Sequence, residues 1–591
     1  MSEKRYPPIS DYAFISDCHS SALVSLDGSI DWCCMPRFDS ASCFGRLLGW
    51  ENGGFCRIAP SLPFTTSRRY MEESLILETT FKTSSGEARL LDCLTMKEGG
   101  SHHPHRQILR IVEGVSGSVE FTIDIEPRFD YGIVKPWISR NKKGKAYVIG
   151  GNDGLLVTCE APLAIEERHT LRGSCVVHAG ERKRMSILWR KPEELDRRFD
   201  ETTAWWRSWS ARCTYNGPFA DHVRRSALVL KGLTNAPTGA IAAAPTTSLP
   251  ESPGGSRNWD YRFSWIRDSC FTVRSLVELG YAKEADGFRR FIERSAAGSA
   301  EQLQILYGLG GERRLQELEL DNLEGYRGAR PVRIGNAAEH QTQLDMYGEV
   351  LDLSWRWHQL GNSPDDEYWE FLVDTVRRSA SEWNKADRGI WEMRGKPRHF
   401  VQSKAMCWAA LDRGISLARA LGRDAPLKEW ERTRDQIRNA IEERGFDRKR
   451  GVFTQAFGYP AMDASLLLIP SVGFVDYNDE RMIRTTAAVR EELDSGGLLL
   501  RYPVGNDDLK GEEGVFIACT FWLAECLARQ GKKGEAEEVF RKAVATANDL
   551  LLFAEEFDPR TGEMLGNYPQ GLTHLSLITA AVALRDGSDR S

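Results

Sequence analysis

PEELDRRFDETTAWWRSWSAR (Pro192–Arg212) is the stretch where the hydrophobic period of this chain changes. Proline stands near its start and acidic residues fill its first turn, so it reads as a helical connector. Upstream, Ser74–Lys82, Ala88–Met96, Gln107–Val112 and Ser118–Ile125 alternate apolar and polar residues. Glycine-bearing breaks at Ser84–Glu87 and Glu113–Gly117 separate them, as antiparallel strands require. Further β-branched runs follow at Leu155–Cys159, Cys175–His178 and Arg184–Trp189. The expectation is an antiparallel β-sandwich ending near residue 190.

Downstream of about residue 218 the period is helical. Arg267–Leu279, Glu339–Leu360, Asp366–Asn384, Phe400–Leu421, Leu427–Arg444, Glu480–Leu493, Gly514–Gln530, Gly534–Asn548 and Gly571–Leu584 all read as amphipathic helices. Roughly twelve helices fit this region, and no short repeat points to a solenoid. Paired into an inner and an outer ring, they would form a toroid whose central depression, floored by loops, is a natural pocket. The expected division is a sheet domain over 1–190, a helical linker over 191–217 and a helical domain over 218–591.

Composition narrows the function. Of 591 residues, 41% are hydrophobic and 27% charged, an ordinary globular balance. Seventy-eight basic against eighty-four acidic residues leave a net charge of -6, which gives no electrostatic reason for a nucleic-acid or anionic-membrane partner. The opening MSEKRYPPIS has no apolar core of a signal peptide, and no apolar run approaches the ~20 residues that span a bilayer. Thirteen scattered cysteines without a C-x-x-C pair fit a reduced, cytoplasmic interior. Association with further copies of the chain stays open.

Three loops combine aromatic and charged residues. In SRNWDYRFSWIRD (Ser256–Asp268), Arg267 and Asp268 form a donor–acceptor pair suited to vicinal hydroxyls. Trp259, Tyr261 and Trp265 could stack on a ring. The plainer reading is a helix-start acid facing the dipole, paired with arginine. In DRGIWEMR (Asp387–Arg394), Trp391 precedes Glu392, and a carboxyl held against an indole favours its protonated form. A solvated surface glutamate explains that stretch as well. Leu551–His574 carries Glu555, Glu556, Asp558 and Glu563 among turn residues, with no calcium-loop spacing. HHPH (His102–His105) reads as an exposed loop, and neither a metal nor a cofactor is expected. H-E-x-x-H, Walker, G-x-G-x-x-G and G-x-S-x-G signals are missing. Two carboxyls across an aromatic pocket are the minimum equipment for glycoside hydrolysis.

Four blocks closely resemble glycoside hydrolase family 15, which holds glucoamylases, glucodextranases and bacterial or archaeal trehalases. They are Ile9–Ser40, similar to the opening of the trehalase-like branch, RNWDYRFSWIRD (Arg257–Asp268), GIWEMRG (Gly389–Gly395) and AEEFDPRTGEMLGNYPQGLTHLSLI (Ala554–Ile578). The resemblance implies an α+β multidomain chain, a β-sandwich followed by an (α/α)6 barrel, and inverting hydrolysis of an α-glucosidic bond. It implies Glu392 as general acid and Glu555 as general base, with Glu556 and Glu563 as rivals for the base. It implies substrate contacts from Trp265, Arg267, Asp268, Trp391 and Arg501. Met393 stands where fungal members carry a second glutamate, so contacts to the leaving sugar are expected to differ. The expected substrate is trehalose, released as glucose. Glucoamylase-like or isomalto-oligosaccharide hydrolysis is the alternative, and a sugar phosphorylase the more distant one, since the carboxylate-rich last loop would repel phosphate. Pro36–Asp39 lies in a loop-like stretch that could reach the pocket mouth.

Overall fold

The computed structural model describes residues 6–96, 104–141, 144–151, 153–189, 195–296, 298–505 and 513–586. Its first part is antiparallel sheet. Fifteen strands connect through one path that runs Ala13–Ser16, Ser21–Val24, Ser29–Cys34, Phe55–Pro60, Gln107–Glu126, Arg182–Leu188, Asp153–Cys159, Ala146–Gly150, Trp137–Arg140, with the remaining strands branching from it. The 20-residue strand Gln107–Glu126 is the spine. Its first half pairs with Gly86–Leu94 and Arg182–Leu188, its second with Thr170–His178 and Phe55–Pro60.

The break read at Glu113–Gly117 is therefore not a reversal. The strand runs through it and changes partners there, where Gly114 lets the backbone close on its neighbour: a Cβ at that position would lie 2.1 Å from the His178 carbonyl oxygen. Gly117, with φ +64, supplies the left-handed kink. Near the start of the spine, Arg110 and Asp92 of the neighbouring strand form an ion pair with both side chains 0% exposed. The guanidinium also donates to the carbonyls of Cys56 and Gly28, each at 2.7 Å. His102 and His103 lie outside the described residues, while His105 Nδ1 meets Thr95 Oγ1 at 3.2 Å.

The connector is α1 (Leu195–Ser210), and the helical part follows. It comprises α2 (Ala220–Gly232), α3 (Ile266–Glu278), α4 (Ala282–Ser295), α5 (Asp345–Gln359), α6 (Asp366–Glu382) and α7 (Val401–Leu421). After them come α8 (Leu427–Arg444), α9 (Glu480–Leu493), α10 (Ile517–Arg529), α11 (Lys533–Val544) and α12 (Gly571–Asp586). A 3-10 segment, Ala464–Val472, lies between α8 and α9. Side-chain caps start α6, where Asp365 accepts from the Tyr368 N–H, and α9, where Asp479 accepts from the Arg481 N–H.

α3, α5, α7, the 3-10 segment, α10 and α12 each touch the next, and α12 returns to α3. α4, α6, α8, α9, α11 and α2 pack against members of that circuit. The sequences match those positions. α12 is buried from Gly571 to Leu584, whereas α8 buries only Trp430, Thr433, Ile437 and Ile441, one face at helical spacing.

Two expected helices begin later than their patterns. Ala337–His340 is a 3-10 turn capped by Asn336, and α5 starts at Asp345 because the Leu344 N–H is taken by Asp387 Oδ2 at 3.1 Å. Val515–Phe516 is a strand paired with Glu556–Asp558, so α10 starts at Ile517.

The two parts share one hydrophobic core. Polar keys also cross between them: Trp32 Nε1 donates to the Pro245 carbonyl at 2.8 Å, Ser16 Oγ to that of Gly232 at 2.7 Å, and Tyr568 Oη to that of Tyr12 at 2.7 Å. The Pro36–Asp39 stretch reaches a loop of the helical part, where Arg37 pairs with Glu312 at 2.7 Å. Removing one half of a buried ion pair strands the other. Arg110→Ala is therefore expected to destabilise the sheet part by about 3–5 kcal/mol, measured as a lowered urea midpoint by circular dichroism. An unchanged midpoint would mean that Asp92 is not held by this pair.

Candidate active site

Loops leading into α3, α7 and α12 enclose a pocket with an empty volume of about 790 Å³, open to solvent. Trp265, Arg267, Asp268, Trp391, Glu392, Arg501 and Glu555 all line it, with Glu251, Arg257, Trp259, Tyr261, Asn336, Met393 and Gln570. Glu556 and Glu563 are not among its lining residues. Glu556 is fully buried behind it and accepts from the Gly514 N–H at 2.9 Å. Glu563 pairs with Arg327 at 2.9 Å.

The Ser256–Asp268 segment forms one wall. Trp265 closes a two-residue strand paired with Leu306–Tyr307 and stands immediately before α3. Arg267 and Asp268 then fall in the first helical turn, where a carboxylate is favoured by the unpaired N–H groups. Arg267 Nη2 donates to Asp268 Oδ2 at 2.8 Å and Nη1 to the Ile390 carbonyl at 2.6 Å. Both readings of this pair hold together: it is a helix-start ion pair, and it faces the pocket.

The opposite wall carries Glu392. Its φ is +56, a conformation unusual for a residue with a Cβ. Arg388 holds the loop in that shape by donating to the carbonyls of Met393 at 3.2 Å, Arg394 at 3.3 Å, and Gly395. Trp265 Nε1 donates to Glu392 Oε1 at 2.6 Å, so the two walls meet at this carboxyl. Desolvation pushes the Glu392 pKa up, against the opposing pull of Arg267 and of hydrogen bonds from Trp265 and Gln343. The neighbouring Trp391 is fixed by its indole N–H to Asp463 Oδ1 at 2.8 Å and packs 5.4 Å from Phe516 and 5.7 Å from Trp522.

Glu555 faces the pocket from the segment before α12. It is 2% exposed, and its Oε2 is buried without a hydrogen-bond partner among the described residues, while the residue lines the pocket. Burial raises its pKa, the charge of Glu251 raises it further, and Arg501 with a hydrogen bond from Tyr261 opposes them. Behind it, Arg501 contacts Glu251 at 3.1 Å, Glu513 at 3.0 Å and Glu556 at 3.2 Å. Arg257 contacts Glu251 at 3.8 Å, and Glu513. Three carboxyls thus share two guanidiniums, with Glu555 in front of them, so full ionisation of the group is unfavourable. Glu251, Glu513, Asp463 and Asn336 were not singled out in the sequence, where each sits in an unremarkable loop. Among the described residues, no cluster of three or more histidine, cysteine or acidic side chains is arranged to hold a metal ion.

A buried pair of carboxyls with aromatic walls and a charged pair for hydroxyls is the equipment of a glycoside hydrolase, and the relatives agree. The model of glycosyl hydrolases family 15 matches residues 217–582, and that of the trehalase-like N-terminal domain matches residues 1–169. The chain belongs to glycosyl hydrolases family 15. It is 42% identical to a trehalase of Mycobacterium tuberculosis over 98% of this chain and 89% of that one. It is 35% identical to a trehalase of Thermoplasma volcanium over 98% and 94%. Its fold matches a bacterial glucoamylase complexed with acarbose with a TM-score of 0.73, at 11% identity, over 98% of this chain and 94% of that one.

Glu251→Gln removes a like charge that raises the Glu555 pKa, so Glu555 should ionise at lower pH. Carbon-13 NMR titration of labelled glutamate carboxyls reads the shift. No movement would mean that burial alone sets the value.

Proposed function

We propose that the protein hydrolyses α,α-trehalose to two molecules of glucose with inversion at the attacked carbon, without a cofactor. The observation that carries this reading is one pocket lined by both Glu392 and Glu555, in a chain that matches trehalases along almost its whole length. Glu392, raised by burial and backed by an indole N–H, protonates the glycosidic oxygen as the bond breaks. Glu555, which lines the pocket and has an Oε2 free of hydrogen bonds among the described residues, takes a proton from the attacking water. Arg267 and Asp268 bind hydroxyls of the glucose at the blind end, Trp265 and Trp391 line its ring, and Arg501 lies toward the leaving sugar. Met393, apolar and 4% exposed, faces that second sugar in place of a carboxylate.

The architecture we propose is the family's: two faces of antiparallel strands packed as a sandwich over 1–190, a linker over 191–217, and an (α/α)6 barrel over 218–591. The closed circuit of α3, α5, α7, the 3-10 segment, α10 and α12 with its surrounding helices supports the barrel. The thirteen cysteines are all unpaired, which suits a reduced, cytoplasmic setting.

Inversion has a sharp signature on a symmetrical substrate. The attacked glucose leaves as the β-anomer and the other keeps its α configuration, so proton NMR of the first products should show the two in equal amounts. Release of α-glucose alone would overturn inversion. Glu392→Gln and Glu555→Gln are each expected to cut turnover by about 10²–10⁴-fold while leaving the thermal transition near that of the parent. Loss confined to Glu556→Gln or Glu563→Gln would move the base elsewhere. Faster glucose release from maltose or isomaltose than from trehalose would replace the substrate assigned here.

A further inference from the structure

Arg262 stands between two residues of the pocket segment, yet its side chain serves the other half of the molecule. Its guanidinium is buried and donates to Asp260 through Nε at 2.8 Å and Nη2 at 2.6 Å. Nη1 donates to the Tyr131 hydroxyl at 2.8 Å and to the Ser40 carbonyl at 3.1 Å. Tyr131 and Ser40 both belong to the sheet part. Asp130 and Tyr131 are consecutive left-handed residues, with φ +49 and +54, and Gly132 follows at +89. Such a turn persists only where its surroundings hold it. Here the helical part does so, through Asn322 Nδ2, which donates to the Tyr131 carbonyl at 2.9 Å.

The bonds from this anchor lead to the pocket. Asp260 Oδ2 accepts from the Gly335 N–H at 3.1 Å, and the Asp260 carbonyl accepts from Asn336 Nδ2 at 3.1 Å. Asn336 lines the pocket. The Trp259 carbonyl accepts from Asn567 Nδ2 at 2.9 Å, just past the hairpin that follows Glu555. Tyr261 lies between the two anchored residues Asp260 and Arg262 and lines the pocket together with Glu555, whose ionised form it favours.

We propose that Arg262, locked by Tyr131 of the sheet part, is a positioning residue that holds Tyr261 against Glu555, so that the N-terminal module takes part in catalysis without lining the pocket. The proposal rests on the reading of Glu555 as the base. A bidentate pair with Asp260 would by itself serve only stability. The strained turn aimed at Nη1 and the continuation of the network to Glu555 are what a purely stabilising pair would not need.

The test separates the two roles with Tyr131→Phe, which removes a single hydroxyl and leaves the Ser40 contact, and with Arg262→Lys, which keeps the charge but not the fork. Val112→Ala, a cavity in the sheet core, is the control for lost stability. Trehalose hydrolysis is followed at 25 °C, well below each measured Tm. A misplaced base should lower kcat about tenfold or more with KM within about threefold. Weakening the Tyr261 bond, which favours ionised Glu555, should also move the acidic limb of the kcat profile to higher pH. Val112→Ala should move neither. Parent-like kcat and acidic limb in Tyr131→Phe would overturn the proposal. If the parent enzyme releases no glucose from trehalose, the functional reading fails on its own. The crystal structure of Tyr131→Phe then decides the positioning role: a Tyr261 side chain displaced from Glu555 relative to the parent supports it, and an unmoved Tyr261 overturns it.

Discussion

Two buried guanidiniums facing four carboxyls set the terms for this pocket. Arg257 and Arg501 cannot neutralise Glu251, Glu513, Glu555 and Glu556 together, and water is too scarce there to screen the excess. Burial raises Glu555 and Glu556, and the charge of Glu251, left over from that imbalance, raises both further. A carboxyl so placed gives up its proton less readily but is a stronger acceptor once ionised, which suits the proton-accepting role proposed for Glu555. Glu392 is raised by burial as well, with the charge of Arg267 opposing. Charge alone therefore does not divide the proposed acid from the proposed base, and the division rests on their placement around the substrate.

Such a pocket needs walls that do not yield. The Glu392 loop is held in an unfavourable backbone conformation by one arginine, and Trp391 beside it is fastened through Asp463, which also caps the 3-10 segment. The 3-10 segment occupies a place in the helical circuit where a full α-helix would be expected from its neighbours. Pro470 lies within it near its end, and Asp463 at its start accepts from the Ser465 N–H.

Much of this was legible in the sequence. The change of period at Pro192–Arg212 separates sheet from helix, and the three aromatic loops do converge on one pocket. Helices with one buried face, such as α8 and α9, have the bounds their patterns indicate, because amphipathic spacing is a direct record of burial. The long spine strand was misread as two, since glycine marks a kink as readily as a turn. The residues that tune the pocket were the least visible. Glu251 and Asp463 act through contacts 250 and 72 positions away, to Arg501 and Trp391, and nothing local distinguishes them. Among the candidate bases, sequence proximity treats Glu555, Glu556 and Glu563 alike. Their separation is set by a short hairpin: Glu555 stands just before its first strand, Glu556 opens that strand, and Glu563 lies across from Asp558 on the second strand, beside Arg327.

The bond between Tyr568 and the Tyr12 carbonyl has a consequence in time. Asn548, at the other flank of the Glu555 loop, reaches the same stretch through Ser10 and Tyr12. Tyr12 and Tyr568 stand 556 positions apart, so one is synthesised long before the other. Sheet and helices can each begin to assemble during synthesis, but the bonds that fasten the flanks of the Glu555 loop to the sheet part form only once Asn548 and Tyr568 have been made. A polypeptide that stops short of them lacks this fastening.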